Sequence, residues 1–296
     1  MMSTVTLTSL PGSAEIYPKA VGAMLPVVGK PARVEPDAVV PDTVYRIENV
    51  QVDRGRLAQY CHATGLPYGD QLPLTYLFVL QFPLAMTSMV DPKFPFGAVG
   101  SVHVENTIER FREIGVDESL TIETHAENLR EHRKGMLIDM VSEFFVGTER
   151  VAVQTSTFLK QQRTSLSGEE RGPAPKEAVP APPSRLISVD LGLIRKYAEA
   201  SGDRNPIHMA DLSAKAFGFS GAIAHGMWSA ATALANIEAK LPGSVSYSVK
   251  FGKPIMLPAK VNEYVNQKDG NEGFDVSILN RRKGYPHLTA TVRPLG

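Results

Sequence analysis

The chain has 296 residues, 31 basic and 31 acidic side chains, and one cysteine. This length allows about two domains, and an apolar share of 43% excludes a disordered or collagen-like chain. The lone Cys61 excludes an intrachain disulfide and a metal site built from several cysteines. We find neither an apolar run that could span a bilayer nor a signal peptide, and therefore expect a cytoplasmic protein.

The zero net charge argues against a general nucleic-acid binder, but it hides a difference between the two halves. Residues 1–160 carry 14 basic and 19 acidic side chains, a balance of −5, whereas residues 161–296 carry 17 and 12, a balance of +5. The second half is therefore the expected place for an anionic ligand. Charges scattered over solvated surfaces would give the same balance.

Two diverged copies of one unit are predicted, with a linker between them. Residues 57–65 resemble residues 194–202, and the Arg-Lys-Gly at 133–135 resembles that at 282–284. A stretch with five prolines lies between the copies and cannot bury an apolar face. The predicted organisation is an N-terminal extension (1–40), a first copy (41–162), a linker (163–184) and a second copy (185–296).

Each copy is predicted to contain a short helix, a longer buried helix and then several strands. This order indicates an α+β fold in which an antiparallel sheet wraps the buried helix. In the first copy the predicted helices span 53–64 and 75–89, and the strands span 101–107, 119–128, 137–146 and 151–159. In the second copy the helices span 190–200 and 227–240, and the strands span 246–251, 259–267, 274–280 and 287–292.

The densest group of polar residues follows the short helix of the second copy. Gly202 is expected to end that helix, and Pro206 keeps Asn205 away from helical angles. The chain must therefore turn between Asp203 and His208, which can bring a carboxylate and an imidazole to one pocket. Such a pair can exchange protons near neutral pH, with Asn205 placed to orient either group. Ordinary turn chemistry would account for the same residue types.

Gly226 stands at the predicted start of the buried helix of the second copy. Its backbone N–H would be one of the donors that lack an intrahelical partner, and the helix dipole adds positive potential there. Such a position can stabilise an oxyanion. His225, directly before it, has an alternative interpretation as a simple N-terminal cap.

These residues carry a resemblance to a known family. The string Ser201-Gly-Asp-x-Asn-Pro-Ile-His208, followed by five residues and then Ala214, resembles the signature of the MaoC-like (R)-specific enoyl-thioester hydratases and (3R)-hydroxyacyl-thioester dehydratases. Gly226 follows His208 by 18 residues, which is the family spacing for the oxyanion-hole glycine. At position 200 the family more often has a bulkier aliphatic residue or glycine. Ala200 departs from this pattern, but the position has no role in the reaction.

The two-copy layout resembles the single-chain dehydratases of actinobacteria and implies a double hot-dog fold, in which each copy has a long helix wrapped by a curved antiparallel sheet. The resemblance also implies reversible dehydration of (3R)-3-hydroxyacyl thioesters to trans-2-enoyl thioesters, with fatty-acid synthesis as the expected setting. Asp203 and His208 would divide the proton transfers, Asn205 would hold a water or Asp203, and the Gly226 N–H would bind the thioester oxyanion. No metal or redox cofactor is expected.

The first copy lacks the acid–base pair, since it has Leu66-Pro-Tyr-Gly-Asp70-Gln at the corresponding place. We therefore expect one active site per chain, with the first copy accommodating the acyl chain. The candidates for a tunnel wall, or for ordinary core packing, are Leu72, Leu74, Tyr76, Phe78, Leu80 and Phe82.

The expected substrate is an acyl group on coenzyme A or on acyl carrier protein, both of which are anionic. Arg281, Arg282 and Lys283 are candidate carrier contacts, although a solvated hairpin would have the same composition. Ser201 and His225 are candidate substrate contacts. We expect possible docking of acyl carrier protein, no nucleic acid partner, and a monomer of two hot dogs or a homodimer. Two alternatives stay open, namely an acyl-thioesterase of the same fold and a non-catalytic acyl-thioester binding subunit.

Overall fold

The structure is a computed structural model that describes residues 3–12, 33–98, 100–168, 182–269 and 272–296. The chain forms two compact units, each built from more than one segment. Unit 1 comprises Met1–Gln51, Leu80–Asn106 and Ser119–Ala174, and unit 2 comprises Val52–Val79, Thr107–Glu118 and Pro175–Gly296.

Helices and strands follow one another largely in the predicted order. Both bounds of β9 and β10 match the prediction, and the other predicted strands differ by no more than four residues at an end. The helices are α1 (Arg54–Thr64), α2 (Tyr76–Val90), α3 (Leu191–Ser201), α4 (Pro206–Met209), α5 (Asp211–Ala216) and α6 (Gly226–Leu234). The strands are β1 (Ser3–Leu7), β2 (Thr43–Val50), β3 (Ser101–Arg110), β4 (Leu120–His132), β5 (Gly135–Val146), β6 (Glu149–Gln161), β7 (Arg185–Val189), β8 (Val245–Phe251), β9 (Ala259–Gln267), β10 (Phe274–Asn280) and β11 (Pro286–Pro294).

The sheet of unit 1 has the strand order β1, β2, β4, β5, β6 and β3. β1 runs parallel to β2, whereas β2, β4, β5 and β6 pair antiparallel. The predicted N-terminal extension thus supplies an edge strand and also Val34, which is 1% exposed. Val34 packs in a core with apolar residues of α2, of the sheet and of the segment after α2, namely Ala85, Met89, Phe94, Phe96, Ala126, Met136, Ile138 and Met140.

The sheet of unit 2 has the strand order β8, β11, β10, β9 and β7, and every neighbouring pair is antiparallel. Helix α6 packs on β10 and β11, and its residues from Met227 to Leu234 are buried. Tyr247 of β8 donates a hydrogen bond from its hydroxyl to the carbonyl of Ala230, 2.8 Å away. A helix that is apolar on all sides is therefore covered by this sheet, as its composition predicts.

Helices α1 and α3 have the same capping at both ends, as the internal repeat predicts. Asp53 accepts a hydrogen bond from a backbone N–H of the first turn of α1, and Asp190 does the same for α3. Gly65 and Gly202 end the two helices with φ values of 78° and 80°, in the left-handed region that favours glycine.

The compact units cut across the predicted copies, because residues 52–79 and 107–118 belong with unit 2. The Nε of Arg56 on α1 donates to the carbonyl of Ala200 on α3, at 2.6 Å. The indole N–H of Trp228 on α6 donates to the carbonyl of Ala63, at 2.9 Å. These long-range bonds attach α1 to elements of the second copy, which a repeat seen in sequence cannot indicate. The copy boundaries at 41–162 and 185–296 stay a prediction.

The buried helix of the second copy is shorter than predicted. It was expected over 227–240, but α6 ends at Leu234 and is followed by a 3₁₀ turn at Glu238–Lys240. The tighter turn accompanies a tertiary contact, since the Oε1 of Glu238 accepts a hydrogen bond from the N–H of Leu74 at 2.7 Å. The helix propensity of residues 235–240 favours a continuous helix, but the hydrogen bond from Leu74 to Glu238 accompanies a tighter turn instead.

Both ends of the predicted linker at 163–184 lie within the described residues. Residues Ser165–Gly168 form a 3₁₀ turn, and the hydroxyl of Thr164 donates to the carbonyl of His132 at 2.8 Å. At the other end, the N–H of Ser184 donates to the carbonyl of Glu263 at 2.8 Å. Most of the predicted linker, residues 169–181, lies outside the described residues.

Two further expectations concern the first copy and the membrane. The residues proposed for a tunnel wall or core are all buried. Among the helices of the described ranges, none is both long and apolar enough to cross a membrane.

Glu238 is a buried carboxylate that gives unit 2 a pH-dependent stability. Burial raises its pKa to about 7 from an ordinary value of 4.5. Its Oε2 has no hydrogen-bond partner in the described part of the chain. The folded state therefore keeps a proton that the unfolded chain releases at lower pH.

We expect the free energy of unfolding to fall as the pH rises from 4.5 to about 7, because the folded state binds more protons over this interval. Glu238→Gln should remove up to about 3 kcal/mol of this loss, which is the upper bound set by the pKa shift. Denaturant titrations between about pH 5 and about pH 8 measure the effect. Glu199→Gln, at an exposed position, is the matched control. The same pH dependence in both variants would contradict the assignment.

Candidate active site

The site begins at the turn after α3 in unit 2. The N–H of Asp203 donates to the hydroxyl of Ser201 at 3.2 Å, and the N–H of Asn205 donates to the Oδ1 of Asp203 at 3.2 Å. The side chain of Asn205 caps α4 by accepting from the N–H of Ile207. Asn205 thus holds the carboxylate of Asp203 through its backbone, whereas its side chain orders the helix that carries His208.

His208 is 7% exposed and is held in one tautomer. Its Nδ1 lies 2.8 Å from the carbonyl oxygen of Ile223. A carbonyl only accepts, so Nδ1 carries the hydrogen and Nε2 keeps its lone pair. Burial, and next the nearby His225, lowers the pKa of His208 to about 3. The imidazole is therefore neutral near pH 7 and can accept a proton at Nε2.

His225 lies against His208 as a second buried imidazole. The ring centroids are 3.7 Å apart and the ring planes differ by 29°. The Nε2 of His225 is 2.9 Å from the carbonyl oxygen of Asp203 and 3.9 Å from its Oδ2. Burial lowers the pKa of His225, so it too favours the neutral form. It is 1% exposed and makes no capping hydrogen bond to α6 from its side chain. The structure thus buries His225 in contact with both Asp203 and His208.

Gly226 is the first residue of α6, as predicted, and its N–H belongs to the turn that lacks intrahelical acceptors. A Cβ at this position would lie 3.1 Å from the ring of Phe251. The aromatic ring therefore leaves room for glycine but only poorly for a larger residue. The positive end of the helix dipole and a backbone N–H without an intrahelical acceptor together suit a developing negative charge.

A carboxylate and two imidazoles meet at this place. One ligand atom each from Asp203, His208 and His225 lie within 4.8 Å of one another. A single water can bridge groups at that separation, which suits proton transfer. His208 Nδ1 and His225 Nε2 lie 2.8 and 2.9 Å from the carbonyl oxygens of Ile223 and Asp203, so the other nitrogen of each ring keeps its lone pair. The arrangement suits acid–base chemistry, and the same three side chains are of the types that bind a metal ion. The expected lack of a metal or redox cofactor stays a prediction.

The three cationic candidates lie on the turn between β10 and β11. Arg281 and Arg282 line a cleft in unit 2, whereas Lys283 is exposed on the same turn and does not line it. The structure therefore separates Lys283 from the other two.

Sequence reasoning missed two neighbours of the site. Tyr197 lies against His225 with ring centroids 4.9 Å apart. Arg56 has a guanidinium nitrogen 2.8 Å from the place that a Cβ on Gly202, the residue before Asp203, would occupy. The repeat aligns the segment that begins at Leu57, so Arg56 lay at its edge without a signal of its own.

The fold and the site together define a class of protein, since an Asp–His pair beside a helix-start glycine on a sheet-wrapped helix is the arrangement expected of hot-dog dehydratases. A model of the MaoC like domain matches residues 172–288. The chain is 45% identical to 3-hydroxyacyl-thioester dehydratase X of Mycobacterium tuberculosis, over 98% of this chain and 100% of that protein. The chain belongs to the MaoC-like dehydratase family.

Solved structures agree with this assignment. A crystal structure of HtdX of Mycobacterium tuberculosis covers 85% of this chain and 100% of its own, with a TM-score of 0.76 and 44% identity. A MaoC-like dehydratase from Phytophthora capsici has a TM-score of 0.62 over 85% of this chain and 95% of its own, but only 18% identity, and shows the fold alone. The predicted α+β hot-dog fold is confirmed.

Proposed function

We propose that this chain is a hydro-lyase that reversibly dehydrates (3R)-3-hydroxyacyl thioesters to trans-2-enoyl thioesters. The proposal depends chiefly on one observation, the approach within 4.8 Å of Asp203, on the turn after α3, and His208, on α4. The relative from Mycobacterium tuberculosis supports it, because its name describes that reaction class.

In the direction of dehydration, the C–H bond at C2 breaks and its electron pair forms the C2–C3 double bond as the C3–O bond breaks. His208 Nε2 has the lone pair to take the C2 proton. The hydroxyl leaves as water with one proton from the Asp203–His208 pair, so the pair regains its starting protonation over a cycle. We treat the two groups as one coupled unit.

The thioester carbonyl gains negative charge while the C2 proton leaves. We propose that the N–H of Gly226 binds this oxygen, next to the dipole of α6. Asn205 keeps the carboxylate of Asp203 in place through its backbone N–H. We further propose that Ser201 orders the same turn, since its hydroxyl accepts from the N–H of Asp203.

The acyl carrier in this proposal is coenzyme A or acyl carrier protein, and Arg281 and Arg282 are the carrier contacts that the cleft supports best. Fatty-acid synthesis is the proposed setting. We propose the cytoplasm as the location, because acyl thioesters of both carriers are made and used there.

The test is a spectroscopic assay of the full-length protein with crotonyl-coenzyme A. We expect the absorbance of the enoyl thioester to fall as water adds, with (3R)-3-hydroxybutyryl-coenzyme A as the product and no release of free thiol. The (3S) thioester should not be dehydrated. Thiol release without prior hydration would indicate a thioesterase, and binding without either change would indicate a non-catalytic subunit.

A further inference from the structure

His225 belongs to the short segment before α6, and this segment contacts both members of the acid–base pair. The carbonyl oxygen of Ile223 lies 2.8 Å from Nδ1 of His208, and Nε2 of His225 lies 2.9 Å from the carbonyl oxygen of Asp203. A carbonyl oxygen only accepts, so Nε2 of His225 carries a hydrogen and donates it. One stretch of three residues therefore holds two groups that come from the turn after α3 and from α4.

Three hydrogen bonds hold Asp203, and one of them comes from a distant part of the chain. The N–H of Asp203 donates to the hydroxyl of Ser201, and its Oδ1 accepts from the N–H of Asn205, each at 3.2 Å. Both of these bonds stay within the turn, because their partners are close neighbours in the sequence. The bond from His225, 22 residues later, ties the turn to the start of α6.

The ring of His225 also contacts two other rings. Its centroid lies 3.7 Å from that of His208 and 4.9 Å from that of Tyr197 on α3. Tyr197 is 0% exposed and His225 is 1% exposed, so this packing has little free space. A displaced ring at position 225 would therefore move the imidazole of His208 as well.

His225 has a polar atom that packing alone does not explain. Its Nδ1 is buried and has no hydrogen-bond partner within the described residues. An unpaired buried nitrogen costs free energy, whereas a phenylalanine ring of similar shape would not. The hydrogen bond from Nε2 to Asp203 offsets part of this cost. An imidazole at this position is therefore best explained by its hold on Asp203.

The backbone of His225 is fixed beside the proposed oxyanion donor. Its carbonyl accepts a hydrogen bond from the N–H of Ser229 at 3.2 Å, which is the first bond of α6. Gly226 follows directly in the chain. The side chain of His225 thus holds the acid–base pair, while its backbone is continuous with the glycine.

We propose that His225 is a positioning residue of the hydro-lyase reaction, which fixes the Asp203–His208 pair relative to the N–H of Gly226. The inference rests on the proposed function and changes the expectation that His225 contacts the substrate. Because the side chain is 1% exposed, it acts through the groups that it touches.

Two variants separate the hydrogen bond from the ring. His225→Gln places an amide nitrogen near the position of Nε2 and keeps a donor for Asp203, whereas His225→Phe keeps a ring and removes the donor. We expect kcat for crotonyl-coenzyme A hydration to fall about tenfold or more in His225→Phe and about threefold in His225→Gln. KM should stay within about twofold of wild type in both variants.

The order of the two losses decides between a hydrogen bond and simple packing. A smaller loss in His225→Phe than in His225→Gln would show that only the ring matters, and would overturn the proposal. A raised KM with unchanged kcat would overturn it in favour of a substrate contact. His62→Phe and His62→Gln are matched controls at an exposed position of unit 2, and both should keep near-wild-type rates.

A double variant tests whether His225 acts through the pair. His208→Gln/His225→Phe should lose no more than about twofold beyond His208→Gln alone, because a base that is missing cannot be misplaced further. Losses that multiply would overturn the proposal. If circular dichroism shows that His225→Phe does not fold, His225→Asn replaces it, since this shorter amide does not reach the carbonyl of Asp203.

The same assay separates this inference from the proposed function. Unchanged kcat in both His225 variants of an active enzyme would overturn the positioning role and leave the reaction intact. If the wild type does not hydrate crotonyl-coenzyme A, the proposed function itself fails, and the inference fails with it.

Discussion

Asp203→Asn and His208→Gln are each expected to lower kcat/KM for crotonyl-coenzyme A hydration by at least about a hundredfold. The Asp203 variant loses a carboxylate that lies within 4.8 Å of the imidazole group. The His208 variant loses the Nε2 lone pair, which is available because Nδ1 carries the hydrogen and donates it to the carbonyl of Ile223. Initial rates at the enoyl absorbance band measure both effects.

Folding is checked on the same samples by circular dichroism and thermal unfolding. Asp70→Asn and His62→Gln are matched controls, because they make the same chemical changes at exposed positions of unit 2. Both controls should keep near-wild-type rates. If the Asp203 and His208 variants also kept such rates, the pair would not be the acid–base group of this protein.

Gly226→Ala is expected to reduce kcat by about tenfold or more. An oxyanion-hole donor typically raises kcat by about a hundredfold, and a displaced donor loses part of that effect. The new Cβ would lie 3.1 Å from the ring of Phe251, so either the ring or the start of α6 must move. Steady-state kinetics on crotonyl-coenzyme A give kcat and KM separately.

Two further variants separate this effect from a general cost of replacing glycine. Gly243→Ala should be tolerated, because its Cβ would meet only an atom of Glu113, 4.0 Å away. Combining Gly226→Ala with Phe251→Leu should recover part of the lost rate, since a smaller side chain makes room for the methyl group. Unchanged kcat in Gly226→Ala would argue against an oxyanion at this glycine.

Local chemistry explains why many elements were predictable. Asp53 and Asp190 cap helices, and Gly65 and Gly202 end them, because each feature depends only on residues a few positions away. The alternating pattern of β9 and β10 gave both strands their bounds for the same reason. The predicted end of α6 was wrong because Glu238 accepts a hydrogen bond from Leu74, which lies far away in the chain.

The sequence by itself determined the turn from Asp203 to His208, the helix start at Gly226 and membership of a recognisable family. Proline restricts the backbone, and glycine permits conformations that other residues rarely adopt. Both effects are local, so the motif appears without tertiary information. Only the tertiary structure decided that His225 stacks on His208, that Arg56 bonds to Ala200, and that Arg281 and Arg282 share a cleft with His287. Such contacts join residues from separate elements, and packing, which no local pattern encodes, brings them together.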